Sequence, residues 1–250
     1  GLKLLVHCYE AWISAQEERI PGLEPKHQSQ ASEHLDACRG AAQRMRGTTE
    51  KLASDARARR AFQLSQMAMV RQQQWSRGVD DLHWYPFQLA FQLLVLESLA
   101  NPEHPDRSVM DLLWFPTGGG KTEAYLALTA FVVFHRRLAA SGSDDGGGVA
   151  VLMRYTLRLL TVQQFERAAA MTCACEDVRR REGREDLGVV PISIGLWVGN
   201  SATPGTIAQA FALGAGSPTT HKQLTQCPCC RGPLKWELSR RGTRVMCSGK

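Results

Sequence analysis

The feature that most constrains the fold of this chain is a glycine-rich turn, residues 115–122, with the sequence Phe-Pro-Thr-Gly-Gly-Gly-Lys-Thr. An apolar run, residues 109–115, leads into the turn, and a helical pattern begins at Lys121. Backbone N–H groups converge on a phosphate only where glycine permits the dihedral angles and the close approach. The amino terminus of a helix adds the positive end of its dipole. We therefore predict a nucleotide phosphate-binding loop between a buried strand and a helix.

The residue types of this loop predict separate roles for its side chains. Lys121 is expected to reach the β- and γ-phosphates of ATP, and the Thr122 hydroxyl is expected to bind Mg²⁺, so both are catalytic candidates. The remaining phosphate contacts are assigned to Thr117, Gly118, Gly119 and Gly120. The general motif has its first glycine where this chain has Phe115, and the three consecutive glycines compensate. A chance glycine-rich turn is the alternative.

Three short apolar segments alternate with helical patterns in the second part of the chain. Strands are predicted at 109–115, 149–155 and 189–199, and helices at 121–138, 157–181 and 206–213. Such alternation is typical of an α/β fold with a parallel sheet and right-handed crossovers. Upstream, helices are predicted near Leu2, over 31–46, over 49–75 and from Pro86. We predict a helical region at 1–80, an ATP-binding lobe at 81–215 and the start of a zinc-binding insertion at 216–250.

The cysteines indicate a metal site near the end of the chain. Four of the eight lie in the last 24 residues, which fits a cytoplasmic protein with one metal site better than a secreted disulfide framework. Cys227 and Cys230 form a C-x-x-C knuckle, and Cys247 follows at a suitable distance for tetrahedral Zn²⁺. The fourth ligand is expected either beyond residue 250 or at Cys229 or His221, and the first is preferred because Cys229 is adjacent to Cys230. Free thiols are the alternative, and the pair at 173 and 175 is interpreted as incidental.

The charge distribution suits a nucleic-acid partner. The net charge is +6, and residues 39–77 carry nine basic and two acidic side chains. Residues 222–250 carry seven basic and one acidic. Such blocks fit phosphate backbones, although a solvated helical face would explain the first block equally well. No apolar run reaches eighteen residues and no secretory signal is evident, so we expect neither a membrane span nor secretion.

Three further segments resemble motifs of superfamily 2 helicases, in the order in which those helicases carry them. Residues 84–91, WYPFQLAF, resemble the Q motif, so Gln88 would read adenine through its amide and Phe87 or Tyr85 would stack on the base. Residues 154–169 resemble motif Ia, and 203–205, TPG, resemble motif Ib, with Thr203 capping the helix that follows. The residues expected to bind nucleic-acid phosphates are Arg154, Thr156, Arg158, Thr203 and Gly205.

Longer runs resemble the helicase subunit of the bacterial DISARM anti-phage defence system. They include DLLWFPTGGGKTEAYL, VLMRYTLRLLTVQQFERA and IGLWVGNSATP. The resemblance implies a RecA-like lobe of an ATP-dependent DNA helicase or translocase that works with partner subunits. The D-E-x-x motif of such helicases is absent from this sequence. We therefore expect an N-terminal fragment that binds ATP weakly and hydrolyses little alone. The alternatives are an NTPase that does not separate strands and a nucleic-acid-binding zinc module with an inactive loop.

Overall fold

The fold is mainly helical. The computed structural model describes residues 1–116, 118–140, 146–155, 158–182, 184–199, 202–213 and 220–248, with backbone only at 158–162 and 184–185. The α-helices of these residues are α1 Leu2–Glu17, α2 Pro25–Ser54, α3 Ala56–Arg77, α4 Pro86–Ala100, α5 Lys121–Ala139, α6 Arg158–Glu182, α7 Arg184–Leu187 and α8 Ile207–Ala212. The strands are β1 Leu234–Ser239 and β2 Gly242–Cys247, and short 3-10 turns occur at Ile20–Gly22 and Pro105–Ser108.

The first two helices pack through a small apolar cluster. Ile13 of α1 is buried with Leu35 and Ala42 of α2. The chain turns between these helices at Ile20–Gly22, and Pro25 takes the first position of α2, where its missing N–H costs no helical hydrogen bond. The predicted helices near Leu2 and Pro86 and those within 121–182 are confirmed, with small shifts of their ends.

A break at Asp55 separates α2 from α3. The Asp55 carboxylate accepts hydrogen bonds from the backbone N–H groups of Arg57, at 2.9 Å, and Ala58, at 3.0 Å. This is the geometry of a helix N-cap, and the bond from Ala58 lowers the pKa of Asp55. The predicted break at 46–49 is therefore wrong, because α2 continues through Gly47 and ends at Ser54.

The chain forms two compact units. The first contains residues 1–66, 83–151 and 185–188, and the second contains residues 67–82, 152–184 and 189–250. Helix α3 thus contributes its first part to one unit and its last part to the other. In the first unit, Phe91 of α4 is buried against Ala124 and Leu128 of α5. In the second, Arg71 of α3 pairs with Asp177 of α6 at 2.8 Å.

The predicted parallel sheet is wrong, and with it the predicted RecA-like lobe. Within the described residues, the only strands are β1 and β2, which form an antiparallel hairpin with Leu234 opposite Cys247. None of the segments 109–115, 149–155 and 189–199 is a strand. Strands of a parallel sheet are covered on both faces, whereas Leu112 is 83% exposed and Trp114 is 87% exposed. In the part of the chain that the structure describes, these apolar runs do not pair with one another.

No helix of the described residues has both the length and the apolar character needed to cross a bilayer. This finding agrees with the absence of long apolar runs in the sequence. The longest helix, α2, spans 30 residues and carries charged side chains along its length.

Candidate nucleotide and metal sites

The glycine-rich loop lies at the start of α5, where its glycines adopt conformations that other residues rarely tolerate. Gly118 has a φ of +85° and Gly120 a φ of +84°, both in the left-handed region. The N–H of Gly119 donates to the carbonyl of Pro116 at 3.2 Å. A Cβ atom at Gly119 would lie 2.7 Å from the ring of Phe115. Each glycine therefore has a local physical reason, and Thr117 lies outside the described residues.

Lys121 folds back onto this loop. Its Nζ donates to the carbonyl of Phe115 and, at 3.1 Å, to the carbonyl of Pro116. Helix α5 begins at Lys121 with Gly120 as its N-cap, so no capping side chain covers its first N–H groups. Thr122 is half-buried in the first turn of the helix. A phosphate group fits this arrangement, because it would bind both the helix terminus and the ammonium group.

Gln88 connects α4 to the loop. Its Nε2 donates to the carbonyl of Gly120 at 2.7 Å, and its Oε1 accepts from the N–H of Tyr85 at 2.9 Å. The Gln88 residue is only 3% exposed. A Cβ atom at Gly120 would lie 2.7 Å from Nε2, so a larger residue there would displace the Gln88 amide as well as strain the backbone. The structure places Gln88 at the loop, and adenine recognition by its amide remains a prediction.

Three aromatic rings form a stack beside the loop. Phe87 stacks on Phe115 with ring centroids 3.9 Å apart, and Tyr85 stacks on Phe87 at 6.2 Å. Tyr85 is 64% exposed and offers a free ring surface at the end of the stack. Phe87 and Tyr85 are the residues predicted to stack on the base, whereas Phe115 was predicted only to depart from the general motif. In the fold, Phe115 joins the loop to the aromatic pair.

A chain of side-chain amides, which was not predicted from the sequence, supports the turn before α4. Trp84 Nε1 donates to Gln66 Oε1 at 2.7 Å, and Gln66 Nε2 donates to Gln92 Oε1 at 3.2 Å. Gln92 Nε2 then donates to the backbone carbonyl of Gln88 at 3.3 Å. In the sequence, the contact between Gln92 and Gln88 is indicated by their four-residue spacing, which places both on one helix face.

Arg44 fixes the segment that leads into the loop. Its Nη1 and Nη2 donate to the two carboxylate oxygens of Asp111 at 2.7 and 2.9 Å, and its Nε lies 2.7 Å from Asp106. The hydrogen bonds that Arg44 donates to Asp111 raise the pKa of Arg44 despite partial burial. Such a two-pronged contact orients both partners. The cation therefore serves the fold of the first unit.

Other cations of the 39–77 block also have partners within the chain. Arg39 contacts Glu17 and Asp36, each at 2.5 Å, and Lys51 lies 3.1 Å from Asp55. Arg46 pairs with Glu10. These side chains are neutralised locally by helix neighbours, which reduces the charge that this block offers to a phosphate backbone.

Of the five residues predicted to bind nucleic acid, the four that the structure describes lie in the second unit. Arg154 is exposed in a segment without regular structure, and Arg158 is the first residue of α6, described by its backbone. Thr156 lies outside the described residues. The prediction that Thr203 caps α8 is wrong. The N-cap of α8 is Thr206, whose Oγ1 accepts a hydrogen bond from the N–H of Gln209 at 3.2 Å. The N–H of Gly205 donates to Gln209 Oε1 at 2.9 Å.

Three predicted ligands form a thiol cluster. The Sγ atoms of Cys227, Cys230 and Cys247 all lie within 4.8 Å of one another, so the cluster could hold a metal ion. The knuckle is closed by bonds from Cys227 N to Gly232 O and from Arg231 N to Cys227 O, both 2.9 Å. Pairing of β1 with β2 brings Cys247 to the same end of the hairpin. Burial raises the pKa of Cys227, but the hydrogen bonds with the N–H groups of Cys230 and Cys229 and with the thiols of Cys247 and Cys230 together lower that pKa below its ordinary value.

The two candidates within the chain for a fourth ligand have other neighbours. The Cys229 thiol is hydrogen-bonded to Cys173, an interaction that lowers the pKa of Cys173 to about 7 and raises that of Cys229. Cys173 therefore contacts the knuckle, although its spacing to Cys175 had suggested an incidental thiol. The ring of His221 lies edge-on to Trp236 with centroids 6.1 Å apart. The described cluster contains neither Cys229 nor His221.

Comparison with known proteins identifies a relative. No protein-family model matches the chain. Over 92% of its length, the chain is 36% identical to the DISARM protein DrmA of Bacillus paralicheniformis. The chain is a relative of DrmA. It spans 22% of the length of that protein.

Proposed function

We propose that the chain binds Mg²⁺-ATP at the glycine-rich loop, as part of an ATP-dependent DNA helicase or translocase of a DISARM defence system. The observation that carries the proposal is the loop itself, in which left-handed glycines open directly into α5 beside Lys121. The similarity to DrmA supports the defence role.

In this proposal, phosphate replaces contacts that the loop makes with itself. Lys121 would leave the carbonyls of Phe115 and Pro116 and bind the β- and γ-phosphates, whose negative charge attracts the ammonium more strongly than a neutral carbonyl does. The uncapped N–H groups of α5 would bind the same phosphates. The Thr122 hydroxyl would contribute an oxygen ligand to Mg²⁺. The exposed ring of Tyr85, with Phe87 behind it, would stack on the base.

Nucleic-acid binding is proposed for the second unit, with Arg154 and Arg158 as the cations nearest the start of α6. DNA is the expected nucleic acid, and partner subunits are expected in the defence complex. Structural Zn²⁺ is proposed for the Cys227, Cys230 and Cys247 cluster, because thiolates are its preferred ligands and a tetrahedral site requires one more donor. Zinc would fix the hairpin against the knuckle.

The test is ATP hydrolysis by the full-length protein, measured with and without single-stranded DNA. Lys121→Ala should abolish turnover while leaving DNA binding in place, because Lys121 acts on phosphate. Lys3→Ala, which alters an exposed lysine of α1, is the matched control and should change neither. An ATP hydrolysis rate that is the same with and without DNA would favour a simple NTPase. DNA binding without ATP binding would favour a nucleic-acid-binding zinc module. Either result would contradict the proposal.

A further inference from the structure

The amide chain beside the loop has a defined direction. Trp84 Nε1 can only donate, and the backbone carbonyl of Gln88 can only accept. Each amide between these ends must therefore turn its oxygen toward Trp84 and its nitrogen toward Gln88, which is the arrangement found for Gln66 and Gln92. Reversing either amide would set two donors or two acceptors against each other. Both orientations are thus fixed by the ends of the chain.

The amide chain ends at the groups that surround the loop. Trp84 immediately precedes Tyr85, the N-cap of α4 and the outer ring of the aromatic stack. Gln88 accepts from the N–H of Tyr85 and donates to Gly120. The hydrogen bond from Trp84 to Gln66 therefore fixes the turn that places Tyr85. Gln66 is held in turn by Gln92 and by the Ser65 hydroxyl, which lies 3.3 Å from Gln66 Nε2. Gln92 is 1% exposed, so its amide has no competing solvent contact.

We propose that Gln66 and Gln92 are positioning residues of the nucleotide site, which hold the turn at 84–85 and the Gln88 amide in the geometry that binds ATP. The inference rests on the proposed function of the loop and adds residues to it that touch no nucleotide. A buried apolar pair of similar size would fill the same volume. The directional amides add a fixed position for Trp84, which apolar packing alone does not specify.

The direction of the amide chain makes one substitution diagnostic. In Gln92→Glu, one carboxylate oxygen can still accept from Gln66, but the other would face the carbonyl of Gln88. Burial disfavours the charged form of a carboxyl group, and protonation would supply the O–H donor that this carbonyl requires. The variant should therefore resemble the wild type at low pH and differ from it at high pH. Gln92→Leu has no such donor at any pH.

The experiment measures the dissociation constant of the protein for a fluorescent ATP analogue with Mg²⁺, between pH 5.5 and pH 8. Circular dichroism first establishes that each variant is folded. At pH 8, Gln92→Glu should bind about tenfold more weakly than the wild type, the effect of losing about one hydrogen bond. The ratio of the Gln92→Glu dissociation constant to that of the wild type should fall toward one at low pH. Gln92→Leu should bind the analogue weakly at every pH. Glu123, whose carboxylate lies close to Gly120, is unchanged in the wild type and in every variant, so the ratio compares proteins that differ only at the substituted residue.

Two further variants complete the test. Gln63→Glu places the same charge on an exposed position of α3 and should leave the ratio at one. Trp84→Phe keeps an aromatic ring but removes the N–H that starts the amide chain, together with part of the indole, and it should weaken binding by about threefold to tenfold without a pH effect. The Trp84→Phe variant keeps the inference testable if Gln92→Glu does not fold. If folded Gln92→Glu or Trp84→Phe protein binds the analogue with wild-type affinity at pH 8, this inference is overturned while the proposed function of the loop stands. A wild-type protein whose analogue binding is unaffected by Lys121→Ala would overturn the proposed function and this inference together.

Discussion

Alanine substitutions within the glycine-rich loop should separate backbone strain from steric conflict. Gly118→Ala would place a Cβ on a residue with a φ of +85°, where no other atom lies within 4 Å. The cost is then strain alone, about 1 to 2 kcal/mol in the free energy of unfolding. Gly120→Ala has the same strain at a φ of +84° and adds a contact of 2.7 Å with Gln88 Nε2. Displacing that amide would cost about 1 kcal/mol more, the net value of its bond to the Gly120 carbonyl.

The assay is urea unfolding, monitored by circular dichroism, which gives the free energy of unfolding of each variant. We expect Gly120→Ala to lose about 2 to 3 kcal/mol and Gly118→Ala to lose less, by the value of one hydrogen bond. Gly40→Ala is the control, because Gly40 lies within α2 and a Cβ there meets no atom within 4 Å. Alanine should stabilise that helix by about 0.5 to 1 kcal/mol. Equal losses at the two loop positions would refute the Gln88 contact, and stabilisation at either would refute the left-handed φ.

Three other perturbations test neighbouring features. Arg44→Met should lower the free energy of unfolding by about 2 kcal/mol, because it leaves Asp111 without its two-pronged partner, whereas the exposed Arg39→Met should cost less than about 0.5 kcal/mol in the same urea assay. Hydrogen bonds from Arg179 and other donors lower the pKa of Glu176 from 4.5 to about 2, so its contribution should be present above pH 4.5 and lost as the pH falls toward 2. In acid unfolding, Glu176→Gln should remove that pH dependence, worth about 1 to 2 kcal/mol after allowance for screening, and an unchanged curve would contradict the assignment. Cys247→Ser should weaken Zn²⁺ binding in a competitive chelator titration, whereas Cys8→Ser should have no effect.

The features predicted well from sequence depend on short-range chemistry. Pro86 indicates a helix start by its missing N–H, and the glycines before Lys121 indicate a backbone with positive φ. The knuckle of Cys227 and Cys230 closes within one turn. In each case the residues that decide the structure are neighbours in the chain. The Asp55 cap is equally local, but the predicted helix boundaries at 46 and 49 did not use the N-cap propensity of aspartate.

The features missed from sequence depend on distant partners. An apolar run such as 109–115 records a tendency toward burial, but it does not specify which segment pairs with it, and here its alternate side chains are exposed. The contact of Gln66 with Gln92 joins residues 26 positions apart, and glutamine at either position is also compatible with a solvated helix face. The bond between the thiols at 173 and 229 joins α6 to the knuckle in the same way. No periodicity of the chain reports such contacts.

The central claim is that the backbone of the glycine-rich loop binds nucleotide phosphate. Hydrogen–deuterium exchange of the peptide containing 115–125, with and without Mg²⁺-ATP, tests it most directly. The account predicts slower exchange of the amides from Gly118 to Thr122 when nucleotide is present, with no change in a peptide from the middle of α2. Protection should disappear in Lys121→Ala at the same nucleotide concentration. Bound ATP that leaves exchange at these amides unchanged would contradict the claim.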